Sequence, residues 1–216
     1  MLLHDIFKSQ RKPSECLWSG EYGRSIFKAT MPLHRFKLLL RLMRFDDRRT
    51  REERKSRDRF APIRGLFEKF NKHCQENYTL SEHVTIDETL RKFRGHCKFR
   101  LYMPQKPGKY GILFRVLADA KARYVYRMLP YTGQTDEAED AESGKPKDLV
   151  MKLIAGLEGS GRNVTMERYY ISVDLVDEFC ATHKLTVLGR IKSNSRRLPD
   201  EAKEAGGQEE QSSVFA

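Results

Sequence analysis

Apolar residues recur at helical spacing in two stretches of the first 80 residues. One stretch runs from Phe36 to Met43 at positions i, i+3, i+4 and i+7, and the other runs from Ile63 to Cys74. Each stretch places its apolar side chains along one stripe, as in helices that pack against a core. Residues 1–80 are therefore predicted to form an N-terminal helical segment.

Beyond residue 80 the spacing changes to that of β-strands. Val84 to Asp87 is a short strand candidate, and Ile112 to Ala118 is an almost unbroken apolar run. Such a run is typical of a strand that is buried on both faces of a sheet. Tyr124 to Leu129 contains β-branched and aromatic residues and follows closely enough to be its hairpin partner. Three antiparallel strands are expected in this part of the chain.

Helices and strands then alternate. The predicted elements are a helix at Leu149 to Leu157, a strand at Asn163 to Met166, a helix capped by Ser172 and a strand at Leu185 to Gly189. Three strands followed by helix, strand, helix and strand predict an α/β fold with a ribonuclease-H-like mixed sheet. This core is expected over residues 81–199, and residues 200–216 are expected to form a polar, disordered tail.

The net charge of the chain indicates which class of partner to expect. Lys and Arg number 41 against 30 Asp and Glu, which gives a net charge of +11 and an isoelectric point near 9.5. A basic surface concentrates polyanions, so nucleic acid is the expected partner. No stretch approaches the ~18 apolar residues of a membrane span, so no membrane partner is expected. The four cysteines form no C-x-x-C zinc motif.

Several short motifs occur in order along the chain. They are the hexapeptide HVTIDE at His83 to Glu88, Phe93-Arg94-Gly95, Tyr102-Met103-Pro104, Lys109-Tyr110-Gly111, Pro130-Tyr131-Thr132-Gly133 and the run from Gly189 to Pro199. Together these motifs resemble the piggyBac family of DDE transposases, from about Leu17 to Pro199. The resemblance implies a cut-and-paste DNA transposase with a ribonuclease-H-like core, acting in the nucleus.

The resemblance also implies a metal site. In such a core three aspartates hold two divalent cations, which activate the attacking oxygen and stabilise the leaving oxygen. Asp87 matches the first aspartate, and Glu167 occupies the position of the second. The third would lie beyond Ala216, so the core is expected to be incomplete at its C-terminus. Mg²⁺ or Mn²⁺, if either binds, is expected to contact Asp87 and Glu167.

Two residues argue against catalysis. The extra methylene of Glu167 displaces its carboxylate by roughly 1 Å, whereas such sites tolerate only about 0.5 Å. Arg168 replaces an asparagine of the family and adds a permanent positive charge. We hypothesise that Arg168 pairs with Asp87 or Glu167 and partly replaces the metal charge.

Basic residues cluster after the first and the last strands, where the resemblance implies a path for DNA. They are Lys92, Arg94, Lys98, Arg100, Arg190, Lys192, Arg196 and Arg197. Such cations neutralise phosphates and give an affinity that falls with salt. The interleaved Phe93, Phe99 and Tyr102 either stack on unpaired bases or pack a β-hairpin.

Three functions are compatible with these features. The first is a transposase-derived protein that binds DNA without cutting it. The second is an active metal-dependent nuclease or strand transferase that uses Asp87 and Glu167. The third is a degenerate fragment that acts as a protein-interaction module. The expected partners are DNA and either a second copy or another transposase chain.

Overall fold

Helices fill the first part of the chain, and the sheet begins only at His83. The computed structural model describes residues 12–21, 23–133, 145–192 and 194–198. The chain divides into two compact units, Met1–Asp47 and Arg48–Ala216. The predicted tail at 200–216 lies outside the described residues.

The first unit contains the short helices α1 (Ser14–Leu17), α2 (Ser25–Thr30) and α3 (Leu33–Leu42). Trp18 joins them, because its ring stacks on Phe36 at 4.9 Å and contacts Phe27 at 5.3 Å. Its indole Nε1 also donates a hydrogen bond to the carbonyl oxygen of Met31 at 2.7 Å. The helix predicted around Phe36 is confirmed.

The second unit begins with α4 (Arg51–Arg57) and α5 (Arg64–Glu76). The Phe67 ring of α5 contacts an aromatic ring of the sheet at 5.7 Å. The Asn71 amide exchanges two hydrogen bonds with the backbone of Met128, at 2.9 and 3.0 Å. Leu66 and Phe70 are about half exposed. The predicted helix is confirmed, but only one edge of its apolar stripe is partly buried, because only the Phe67 side faces the sheet.

The described residues then form six strands: β1 (His83–Lys92), β2 (Leu101–Met103), β3 (Lys109–Asp119), β4 (Val125–Pro130), β5 (Asn163–Met166) and β6 (Thr186–Gly189). β3 pairs antiparallel with β1 on one side and with β2 and β4 on the other. β5 runs parallel to β1, and β6 runs parallel to β5. The order β4-β3-β1-β5-β6 fits a ribonuclease-H-like arrangement, and the predicted α/β fold with a mixed sheet is confirmed.

β1 is longer than the strand predicted at Val84 to Asp87, and β2 was not predicted at all. The second half of β1 is largely polar, yet Glu88 lies opposite Arg115 and Leu90 lies opposite Leu113 in the ladder with β3. Backbone hydrogen bonds to β3 extend the strand whatever the polarity of its side chains. The apolar pattern therefore located the strand but not its end.

The main core lies on the face of the sheet that carries Val84 and Ile86. It is covered by α6 (Pro146–Ile154), α7 (Val173–Glu178) and the π-helical turn Phe179–His183 that continues α7. Ser172 caps α7 as predicted, since its hydroxyl accepts a hydrogen bond from the Leu175 amide at 3.2 Å. Each fully buried Val, Leu or Ile of this core stabilises the fold by about 1.5–3 kcal/mol.

A polar cluster borders this core beside β1. The Tyr170 hydroxyl, which is buried, donates a hydrogen bond to Oε1 of Glu88 at 2.9 Å. Arg115 lies opposite Glu88 on β3, and its guanidinium is 5.3 Å from the centre of the Tyr131 ring. Burial and the Glu88 carboxylate raise the pKa of Tyr170 well above its ordinary value. The Tyr170 hydroxyl therefore stays protonated and acts as a donor.

Asp119 organises the end of β3. Its two carboxylate oxygens accept hydrogen bonds from the amides of Ser81 at 2.6 Å and Ala122 at 2.7 Å. These bonds tie the segment before β1 to the turn that joins β3 and β4. Although burial alone would raise it, the bonds from backbone amides lower the pKa of Asp119 to about 2.

The Asp119→Asn variant should be less stable than the wild type by about 2 kcal/mol at pH 7, because one buried amide loses its acceptor. The lowered pKa makes the ionised carboxylate stabilising above pH ~4, and this stabilisation is lost as the pH falls towards 2. In urea denaturation, the difference in the free energy of unfolding between wild type and variant should therefore be smaller at pH 3 than at pH 7. Glu82→Gln, at a nearby exposed acid, serves as the control. A difference that does not change with pH would contradict this account.

The Tyr170→Phe variant leaves Glu88 without its hydroxyl donor inside the core. We expect the free energy of unfolding to fall by about 1–3 kcal/mol in urea denaturation. The matched control is Tyr169→Phe, because the neighbouring Tyr169 is 46% exposed, and its effect should stay within about 0.5 kcal/mol. Equal free energies of unfolding for the two variants would show that the polar cluster does not stabilise the fold.

Candidate active site and nucleic-acid interface

The two predicted acidic residues lie side by side. In the parallel ladder of β1 and β5, Ile86 is opposite Met166, and both side chains enter the core. Asp87 and Glu167 each follow directly, so alternation turns them to the opposite face of the sheet, and both are exposed. Neighbouring strands lie about 4.8 Å apart. The fold thus places the two acidic residues next to each other, Asp87 in the middle of β1 and Glu167 directly after β5.

Arginines flank this pair of carboxylates. Met166 is opposite Gly189 in the ladder of β5 and β6, so Arg190 follows in the position next to Glu167. Arg168 comes directly after Glu167 and is also exposed. Within residues 12–21, 23–133, 145–192 and 194–198, no ion pair joins Arg168 to Asp87 or Glu167. Asp87 instead accepts a hydrogen bond from the amide of Glu88 at 2.6 Å.

The turn that carries Glu167 is tied to the core. The amide of Tyr170 donates to the carbonyl oxygen of Glu167 at 3.0 Å, while its hydroxyl binds Glu88 on the strand that carries Asp87. Tyr170 therefore fixes the position of Glu167 relative to β1. This link was not predicted from the sequence. The signal for it was the alternation of side chains along β1, which turns Glu88 towards the core, where a carboxylate needs a hydrogen-bond donor.

The side chains at this site do not fit the expected pair of Mg²⁺ or Mn²⁺ ions. The part of the chain that the structure describes contains no group of three or more His, Cys, Asp or Glu residues that could hold a metal ion. Two divalent cations bring four positive charges and need converging carboxylates. Asp87 and Glu167 supply two negative charges, and Arg168 and Arg190 add two positive charges beside them.

The first predicted basic cluster is divided by the structure. Lys92, Arg94 and Arg100 surround a cavity of about 490 Å³, together with Lys109 and Tyr110. The Arg100 guanidinium donates to the carbonyl oxygen of Arg94 at 3.3 Å and lies 5.5 Å from the centre of the Tyr110 ring. We call this cavity the cationic cavity. It offers four exposed positive charges to a phosphate backbone.

Lys98 lies apart from these three residues. It lines a second cavity of about 920 Å³ that we call the aromatic cavity, with Phe60, Phe93 and Phe99 among its lining residues. Phe99 is buried and its ring lies 5.9 Å from that of Phe60, so it packs the interior. Phe93 remains 38% exposed. Phe99 therefore packs the interior, whereas Phe93 is left exposed, and base stacking by these rings stays a prediction.

The second basic cluster follows β6. Arg190, Lys192 and Arg196 are exposed. Arg197 is exposed as well, but it pairs with Asp174 and also with Asp177, the latter at 3.2 Å. Its positive charge is therefore partly neutralised by the acids of α7. Arg190 differs from the others because it lies beside the candidate acidic pair.

The helices of the described residues include none that is long and apolar enough to cross a membrane. A sequence profile for the family described as Transposase IS4 matches residues 2–215. The cryo-EM structure of a piggyBac transposase synaptic complex with hairpin DNA is similar to this chain, with a TM-score of 0.82 and 31% sequence identity. The match covers 96% of this chain and 43% of that chain, so this chain spans less than half of that transposase. These findings confirm the predicted resemblance, and the chain belongs to the Transposase IS4 family of piggyBac-type DDE transposases.

Proposed function

We propose that this chain is a transposase-derived protein that binds DNA and does not cut it. The observation that carries the proposal is the register of the three parallel strands β1, β5 and β6, which places Asp87, Glu167 and Arg190 at neighbouring positions across the sheet. Arg168 and Arg190 place two further positive charges next to these acids in sequence and in register, although among the described residues no ion pair joins Arg168 to either of them. Positive charges near a carboxylate site oppose the binding of divalent cations.

The geometry of the acidic pair supports the same proposal. Glu167 replaces the aspartate that the family has at this position and extends its carboxylate by one methylene. Phosphoryl transfer at two metals requires ligands placed to within about 0.5 Å. The buried bonds of Tyr170 hold the Glu167 turn against β1 and limit any backbone shift that would compensate.

DNA is the proposed partner because the cations of the cationic cavity are exposed and can contact phosphate groups. Lys92, Arg94, Arg100 and Lys109 share one cavity at the end of β1 and the start of β3. The net charge of +11 attracts a polyanion to the chain as a whole. The similar piggyBac structure was solved with hairpin DNA. We further propose that the protein acts in the nucleus, where a transposase relative meets its DNA.

A metal-dependent nuclease is the second candidate. The adjacency of Asp87 and Glu167 on parallel strands favours it, because converging carboxylates from neighbouring strands are what a metal site needs. This function would require a third ligand from outside the described residues. Its signature would be cleavage that depends on a divalent cation.

DNA binding should depend on salt through the cationic cavity. We expect the triple variant Lys92→Ala/Arg94→Ala/Arg100→Ala to reduce the slope of log K against log[salt] by about 3, because each lost phosphate contact removes about 0.9. Fluorescence anisotropy with a labelled duplex at several salt concentrations measures the slope. Lys72→Ala on α5 removes an exposed charge elsewhere and is the control. Equal slopes for the triple variant and the wild type would refute this interface.

Plasmid nicking separates the two candidates. With Mn²⁺ or Mg²⁺, the folded protein should nick supercoiled plasmid no faster than its Asp87→Ala variant, because the acidic pair lacks the ligands for two cations. Gel electrophoresis of relaxed and supercoiled forms gives the rates. Metal-dependent nicking that disappears in Asp87→Ala would establish the nuclease instead. If the chain neither nicks nor binds DNA, the protein-interaction module would be the remaining candidate function.

A further inference from the structure

The connection between β1 and β2 separates two cavities. Lys92, Arg94 and Arg100 face the cationic cavity, whereas Phe93, Lys98 and Phe99 line the aromatic cavity. Lys92, Phe93 and Arg94 therefore alternate between the two cavities, and residues 96–99 all line the aromatic cavity. A nucleic acid strand bound along the first cavity would pass directly beside the second.

The aromatic cavity has a rigid floor and one accessible ring. Phe60 is 1% exposed and packs edge-on against Phe67 at 5.2 Å, which anchors the floor to α5. Phe93 keeps an accessible ring, and this ring lies so close to Gly95 that a Cβ there would be 2.7 Å from Cζ. The missing side chain of Gly95 thus leaves room for the Phe93 ring in its observed position.

The charges around the aromatic cavity favour an anionic ligand. Lys55, Arg59 and Lys98 line it, against one acid, Glu52, which lies 3.5 Å from Lys55. The Arg59 guanidinium is held at the rim by a hydrogen bond to the carbonyl oxygen of Thr132 at 3.4 Å. A ligand that combines a flat apolar ring with negative charge would satisfy both the rings and the cations.

We propose that the aromatic cavity receives one unpaired nucleotide of DNA whose backbone lies along the cationic cavity. The base would stack on Phe93, and its phosphate would contact Lys98 or Arg59. The volume of about 920 Å³ is within the usual range for sites that enclose small molecules. This inference rests on the proposed DNA binding and adds a preference for a particular DNA structure.

The test compares two labelled duplexes that differ only by one unpaired adenine in the middle. Fluorescence anisotropy at a fixed salt concentration gives both affinities for the full chain. The wild type should bind the duplex with the unpaired adenine about tenfold more tightly, the effect expected for one base stacked on an aromatic ring. Phe93→Ala should remove this preference and leave the affinity for the paired duplex unchanged.

Two further variants sharpen the result. Gly95→Ala keeps the Phe93 ring but displaces it, so it should also weaken the preference. Phe70→Ala removes an exposed aromatic ring of α5, outside both cavities, and should keep the tenfold ratio. Equal affinities of the wild type for the two duplexes would overturn the inference while leaving the proposed DNA binding intact. Absence of binding to either duplex would overturn both.

Discussion

β1 pairs with β5 in parallel with Ile86 opposite Met166, and the candidate site depends on this register. Side chains of a strand alternate between faces, so a shift of one residue would turn Asp87 or Glu167 into the core. The core prevents such a shift, because Val84, Ile86, Val164 and Met166 fill it from the same face. The packing of apolar residues on one side of the sheet thus determines which polar residues meet on the other.

Charged groups inside the second unit reinforce the same strand. Glu88 is half-buried on the core side of β1, where a carboxylate without partners would be costly. The Tyr170 hydroxyl, with Arg115 in the opposing position of β3, offsets this cost and links β1 to the turn after β5. Asp119, which is fully buried, performs a related role at the other end of β1 by binding the amides of Ser81 and Ala122. These two acids hold the backbone on both sides of β1.

The distribution of positive charge links the fold to the proposed function. Arg190 lies beside the acidic pair, Arg197 pairs with α7, and Lys92, Arg94 and Arg100 surround the cationic cavity. Cations close in sequence therefore have different surroundings. In the proposed function, the cations beside Asp87 and Glu167 oppose metal binding, and those around the cationic cavity contact phosphate. This is how we propose that one basic chain combines DNA binding with the loss of cleavage.

The sequence by itself determined the α/β class, the order of the helices and strands that it predicted, and the family. These properties depend on neighbouring residues, on alternation and on ordered motifs, all of which can be read along the chain. The tertiary structure alone decided the length of β1, the existence of β2, the partners of Glu88 and the separation of Lys98 from Arg94. The partial covering of only one edge of the α5 stripe was decided in the same way. Each of these depends on which strand or helix lies alongside, and pairing between distant segments leaves no local pattern in the sequence.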